Sequence, residues 1–389
     1  MIDSLCHSII KLYKTKNHSV KNPHFLMAIL TYCIFIEYNV YYVHCKKVEF
    51  RHMRGITMKK KILVLATGGT IASTSSSEGL IPGMTIDQII NMVPGLTDTY
   101  EITAKDILNL DSSNIQPEEW QFIAQNIDQE YGNYDGIVVT HGTDTMAYTS
   151  SVLSYMLHGI HIPVVFTGSQ LPVMHPLTDA IDNLRCALAF ASTGIGGIFV
   201  AFNRKIIFGN RAVKVRTTNF DAFESVNCPP VATINSEGLK INYNVLPQMI
   251  SNNFELRDNI CTNVFLIKLT PGFNPQIFDM LLEMEYKGVV IEAFGAGGIH
   301  FINRDLVSKL EKLISHNIPV VVSSQCLYER SDLSIYQAGQ KALRSGVIPA
   351  YDMTSEAAIT KLMWILGQTE DMIKIREMFA TNLSGEITL

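Results

Sequence analysis

From Lys59 onward, short continuous apolar runs alternate with stretches in which apolar positions recur every three to four residues. The runs near residues 60–67, 135–140, 162–168 and 196–202 read as strands. Between them TIDQIINMV, PEEWQFIAQNI, AYTSSVLSYML and LTDAIDNLRCALAFA carry the helical period, the second with Pro117 in its first turn. A strand that is apolar at nearly every position must be covered on both faces. Runs of that kind alternating with helices predict a parallel sheet.

The pattern lapses into a polar stretch between Gly238 and Thr262, and residues 241–262 are read as a linker. Beyond it, VFLIKLTPG, GVVIEAFGAGG and IPVVVSSQC read as strands of a second unit. Its helices are NPQIFDMLLEM, RDLVSKLEKLISH, SIYQAGQKALRS, SEAAITKLMWILGQ and EDMIKIREMFA. The expectation is two α/β domains, a larger N-terminal parallel-sheet domain over 58–240 and a smaller C-terminal parallel-sheet domain over 263–389.

Residues 1–57 stand apart. Phe25–Ile36 is an apolar run preceded by Lys11, Lys14, Lys16 and Lys21, the layout of a signal peptide or an anchor. It falls short of the ~20 residues of a spanning helix, Glu37 ends it, and no small-residue cleavage site follows. Met58, in MKKKILVLATGGT, opens the first strand directly. The segment is therefore read as an N-terminal extension, peripheral to the fold or the product of an upstream start.

Charge sharpens the division. Residues 1–57 hold 8 Lys and Arg against 3 Asp and Glu, while the rest hold 23 against 33. An acidic body without a basic patch speaks against nucleic acid as a partner. The seven cysteines include no CxxC pair, which suits reduced thiols in the cytoplasm. No HExxH and no GxxxxGK[ST] is present, so neither a zinc nor a phosphate-loop reading arises.

In open parallel sheets ligands bind beyond the carboxyl ends of the strands. Here those ends are rich in hydroxyls: Thr67-Gly68-Gly69-Thr70, Leu110-Asp111-Ser112-Ser113-Asn114, His141-Gly142-Thr143-Asp144-Thr145 and Thr167-Gly168-Ser169-Gln170. A threonine hydroxyl attacks a carbonyl if a base lowers its proton cost, and Gly68 and Gly69 let main-chain N–H groups approach the substrate. Asp144 offers a carboxylate to a substrate ammonium; Ser112 and Ser113 offer hydroxyls to an α-carboxylate. Each piece has a plainer explanation. Gly-Gly-Thr makes a turn, Thr143, Asp144, Ser112 and Ser113 cap helices, and a strand-end His141 is more often packed than catalytic.

TGGTIAS and DGIVVTHGTDTMAYTS resemble the two signatures of the asparaginase/glutaminase amidohydrolase family. The likeness runs from Met58 to Leu389 through LDSSN, FTGSQLP, RAVKVRTTNFDAFES, SQCLYERSDLSIYQAG and VIPAYDMTSEAAITKLMWILGQ, the last two resembling the cytosolic type I class. The resemblance implies hydrolysis of L-asparagine to L-aspartate and ammonia by a threonine nucleophile through an acyl-enzyme, with no cofactor and no metal. It assigns catalysis to Thr70, Thr143, Asp144 and Lys214, and substrate binding to Gly69, Ser112, Ser113, Thr143 and Asp144. Lys214 is named by the resemblance alone; buried beside Thr143, its amine would become a competent base. The resemblance further implies a homodimer or homotetramer in the cytoplasm, with no membrane contact for the core.

Two positions depart from the family. Its lid, matched by Ser73–Gly83, carries an assisting tyrosine, and here Gly79 or Leu80 stands in that place. Some type I members bind asparagine allosterically through a cysteine and an arginine. Cys326 matches the first and Glu292 the second, which argues against strong activation. Three other readings stay open: an asparaginase-like subunit of a tRNA-dependent amidotransferase, a broad asparaginase–glutaminase, and an inactive sensor. The amidotransferase subunit has an extra folded domain before the first signature, and residues 1–57 lack the alternating strands such a domain needs.

Overall fold

The computed structural model describes residues 59–76, 79–246 and 254–388, and the extension with its apolar run at 25–36 lies outside them. Lys59–Leu389 forms one compact unit. Its first strand, β1 (Lys60–Gly68), is followed by a hairpin of β2 (Ser73–Ser76) and β3 (Gly79–Pro82), helices α1 (Ile86–Met92) and α2 (Leu96–Thr99), and β4 (Tyr100–Leu110). Then come α3 (Pro117–Glu130), β5 (Gly136–Thr140), α4 (Met146–Met156), β6 (Pro163–Thr167), α5 (Ala180–Ala191) and β7 (Gly197–Phe202). Five short strands follow: β8 (Lys205–Phe208), β9 (Ala212–Lys214), β10 (Phe223–Ser225), β11 (Ala232–Asn235) and β12 (Gly238–Ile241).

The main sheet has eight strands in the order β12-β11-β8-β7-β6-β5-β1-β4. β4, β1, β5, β6 and β7 are parallel, and β8, β11 and β12 join antiparallel. The expected parallel sheet thus carries an antiparallel extension at this edge. Asn203 and Arg204, at φ 46° and 62°, form a two-residue turn between β7 and β8, and a turn that tight returns the chain antiparallel. Alternate residues of each central strand enter opposite layers. Leu63, Leu65, Ile137 and Val139 pack with α3 and α4, whereas Ile62, Val64 and Val138 pack with α1 and α5. This double cover accounts for their unbroken apolar pattern.

The second sheet contains β13 (Val264–Lys268), β14 (Gly288–Ala293), β15 (Val320–Ser324) and β16 (Ile348–Pro349), all parallel and in chain order. Helices α6 (Gln276–Glu283), α7 (Val307–Ser315) and α8 (Gln337–Ser345) cover one face. α9 (Ser355–Gln368) and α10 (Met372–Ala380) cover the other, and α9 also packs on α4. Val264, Val290 and Val321 therefore share one apolar core with Leu63 and Val139, so the two sheets are not separately cored. Tyr155 and Trp364 seal the junction with ring centroids 6.0 Å apart.

The polar stretch read as a linker opens inside β12, and residues 247–253 lie outside the described part. Its later half is tied down: Arg257 N–H donates to Met156 O at 2.9 Å, and Trp364 Nε1–H donates to Arg257 O at 2.8 Å. Among the described residues no helix is long and apolar enough to cross a membrane.

Candidate active site

The carboxyl ends of β1, β4 and β5 converge, with glycines at the closest approaches. Gly68 and Gly69 have φ of 105° and 85°, which favour glycine. A Cβ on Gly69 would lie 2.5 Å from Gly142 N, and one on Gly142 would lie 2.6 Å from Ser112 Oγ. The loops bearing Thr70, Ser112 and Thr143 are thus in direct backbone contact. Gly69 N–H donates to Leu110 O at 3.1 Å, and Thr145 Oγ1–H donates to Ser112 O at 2.7 Å.

Thr70 opens a single 3-10 turn after β1 and is partly exposed. Ser112 is buried in a similar turn after β4. Ser113 is exposed, and its hydroxyl and amide both donate to Asp111 Oδ1, at 2.5 and 2.8 Å. These two bonds hold the Asp111 carboxyl below the usual carboxylate range. Asp111 is thus the cap of this turn and Ser113 a donor to it rather than a cap, and the Ser113 oxygen keeps lone pairs for a ligand.

Thr143 is buried, and Lys214, at the end of β9, reaches it: Nζ donates to Thr143 Oγ1 at 2.7 Å and to Asp144 Oδ1 at 2.5 Å. The Lys214 side chain is 16% exposed and that of Asp144 67%, so the carboxylate faces the opening while the amine lies beneath. The Lys214 side chain is half-buried beside Thr143 and ion-paired with Asp144. Thr143 Oγ1 also donates to Gln170 Oε1 at 3.5 Å. Gln170 in turn donates from Nε2 to Thr217 O and Asn219 O, and its amide N–H bonds Asp179. Nothing in FTGSQLP alone signalled that bridging role.

His141 is no base here. It is fully buried, donates from Nδ1 to Gly142 O at 2.7 Å, and accepts at Nε2 from Thr149 Oγ1 at 3.0 Å. The carbonyl only accepts, which fixes the tautomer. Trp120 Nε1 donates to the same Thr149 oxygen. Burial pushes the His141 pKa down to about 4. The imidazole braces the Gly142 peptide in its neutral form.

The lid segment is a β-hairpin, with Ser73 paired to Pro82 and Ser76 to Gly79. At the second sheet, Glu292 accepts from Ser355 Oγ at 2.6 Å, and burial raises the nearby Glu356 carboxyl. Burial and these two carboxylates push the Tyr148 phenol up to about 12. Glu292 also has the Lys268 amine 3.8 Å away. Among the described residues no cluster of His, Cys, Asp and Glu could hold a metal ion.

Two family models match the chain: "Asparaginase, N-terminal" over residues 61–247 and "Glutaminase/Asparaginase C-terminal domain" over 263–379. An L-asparaginase of Thermococcus kodakarensis is 44% identical over 331 residues, covering 84% of this chain and 99% of the relative. A glutamyl-tRNA(Gln) amidotransferase subunit of Methanosphaera stadtmanae is 36% identical, covering 85% of this chain and 77% of that relative. Among solved structures, the thermostable L-asparaginase from Thermococcus kodakarensis aligns with a TM-score of 0.80 at 43% identity, over 84% of this chain and 99% of the other.

Proposed function

The chain belongs to the asparaginase/glutaminase family, and from that premise we propose that it hydrolyses L-asparagine to L-aspartate and ammonia through a threonine nucleophile. The observation carrying this reading is Lys214 Nζ set 2.7 Å from the buried Thr143 hydroxyl and paired with Asp144, one glycine contact away from Thr70. In the proposed sequence Thr70 Oγ1 attacks the side-chain amide carbon. The hydroxyl proton travels by way of Thr143 and Lys214 to the leaving nitrogen, and ammonia departs. A water then gives a proton to the same relay and attacks the ester, releasing aspartate and returning the proton to Thr70. Threonine, lysine and water complete this cycle, so the chemistry asks for no cofactor.

Asp144, exposed at the opening, answers the substrate ammonium; Ser112, Ser113 and the Gly69 backbone take the α-carboxylate end. Burial strengthens the contacts at Ser112 and Gly69, since water does not screen them there. We further assign the protein to the cytoplasm as a homodimer or homotetramer. Four free cysteines among the described residues support the first. Exposed Met174, Leu177 and Phe220 near the site loops, with Leu327, Tyr328, Ile335 and Tyr336 on the second unit, support the second.

The test is ammonia release from purified protein with L-asparagine and L-glutamine separately, for wild type and for Thr70→Ala, Thr143→Val and Lys214→Met. Loss of a nucleophile or its relay is expected to lower kcat by about 10²–10⁴-fold with the fold retained. Undiminished turnover by Thr70→Ala refutes the assignment. Turnover only with a partner protein and tRNA would move the chain to the amidotransferase reading, and equal turnover of both amides to the broad one.

A further inference from the structure

Lys214 stands on a ribbon that cannot hold itself in place. β9 pairs with β10 alone, over three residue pairs, and so short a two-stranded ribbon has little stability of its own. Phe223 packs against Phe202 at 5.0 Å between centroids, which fastens the ribbon to the core. Apolar contact is non-directional, though, and leaves the ribbon free to shift along its axis.

We propose that Arg211 is a positioning residue for the reaction: it locks the register of β9 so that Lys214 lies between Thr143 and Asp144. Arg211 immediately precedes β9 and is 1% exposed. Its guanidinium uses four N–H bonds on fixed acceptors: Nε to Gly385 O at 2.7 Å, Nη1 to Asp352 O at 3.1 Å and to Asp352 Oδ2 at 3.0 Å, and Nη2 to Thr388 Oγ1 at 3.2 Å. The acceptors are themselves held. Asp352 Oδ1 accepts from Thr388 N at 2.9 Å, and Asn227 Nδ2 donates to Asp352 O at 2.9 Å. The Arg211 backbone is pinned as well, its N–H donating to Phe208 O and its carbonyl accepting from Val226 N, both at 2.9 Å.

A planar fork with its acceptors fixed in two other chain segments is the directional restraint that apolar packing lacks. Lys214 is three residues further on, about 10 Å along an extended strand, so a slip at Arg211 is carried to the amine undiminished. Asp352, just past β16, and residues 384–388 thereby set the proton relay.

This inference rests on the role of Lys214 proposed above, and the test separates the two. Arg211→Lys, Asp352→Asn, Arg211→Ala and Lys214→Met are assayed for kcat, KM and thermal unfolding, and Arg211→Lys is also placed in the Lys214→Met background. Arg211→Lys is expected to lower kcat by about 30-fold with KM within about threefold, since a misplacement near 1 Å costs up to about 100-fold. Asp352→Asn keeps the volume and is expected to act in the same direction by about threefold to tenfold. Millimolar guanidinium is expected to raise the turnover of Arg211→Ala and leave that of Lys214→Met unchanged. In the Lys214→Met background Arg211→Lys is expected to cost less than about threefold, because both changes remove one function. A folded Arg211→Lys protein with wild-type kcat overturns the proposal, as does an equal penalty in both backgrounds. Wild-type turnover by Lys214→Met overturns the role of Lys214 itself, a different result.

Discussion

His141 links the site to the acid stability of the protein in a way that can be calculated. In the unfolded chain its imidazole takes a proton near pH 6.5, and in the folded protein burial defers this to about 4. Between those values the unfolded state holds a proton that the folded state refuses, so acid favours unfolding. The neutral ring contributes in full above pH 6.5 and loses ground steadily down to pH 4. At pH 4.5 the loss comes to about 2–3 kcal/mol. His141→Asn removes the titration while its amide nitrogen takes the place of Nδ1 and keeps a donor toward Gly142 O. Urea unfolding of both proteins from pH 7.5 to 4.5 gives two curves of stability against pH. Their difference isolates His141 from His158 and from the carboxylates, which titrate in both. The expectation is that the variant gains about 2–3 kcal/mol on the wild type across that range, whatever constant cost it pays at pH 7.5. Its kcat at neutral pH is expected to stay within about tenfold, since losing a general base would cost about 10²–10⁴-fold. Curves that run parallel to within about 0.5 kcal/mol, the scatter of such extrapolations, would refute the buried neutral imidazole.

Two further perturbations test the frame around the site. Gly69→Ala places a Cβ 2.5 Å from Gly142 N at a residue with φ 85° and ψ −179°. Turnover is expected to fall by about 100-fold or more in a folded protein, and wild-type kinetics would show that the two loops separate freely. Lys361 and Glu386 are both fully buried, and Lys361 Nζ donates to Phe379 O, Thr381 O and Glu386 Oε1 at 2.9, 2.6 and 2.6 Å. Lys361→Met leaves a buried carboxylate without its cation, still accepting from Leu383 N and Ser384 N, and is expected to cost about 3–5 kcal/mol by calorimetry. Adding Glu386→Gln, which removes the charge and keeps an oxygen acceptor, is expected to recover part of that loss, and a double variant no more stable than the single would contradict it.

The sequence made the interior strands legible because β1, β5 and β6 are apolar at nearly every position, a pattern that only strands covered on both faces need. β4 escaped notice for the opposite reason. As an edge strand it alternates exposed Glu101, Lys105 and Asn109 with half-buried partners, and its length of 11 residues mixes polar and apolar positions. β8 to β12 have three or four residues each, too few to display a period. The turn at Asn203-Arg204 lacks the glycine that marks most such hairpins. In the site, Thr70, Thr143 and Asp144 were readable as hydroxyl and carboxyl groups at strand ends. Lys214 came only with the family resemblance, because three residues of β9 carry no local sign of burial. Arg211 was unreadable for a deeper reason. Its acceptors lie 141, 174 and 177 residues away, and no local pattern reports a partner at that distance.

The backbone contact between Gly69 and Gly142 has a bearing on how such a site can diverge. Where two catalytic loops are spaced by side chains, drift can widen or narrow the gap one methyl group at a time. Here a Cβ on Gly69 would displace the Gly142 loop, and one on Gly142 would displace the Ser112 turn. The distance between the two threonines is therefore closed to gradual adjustment, and selection for a different amide must work on the rim.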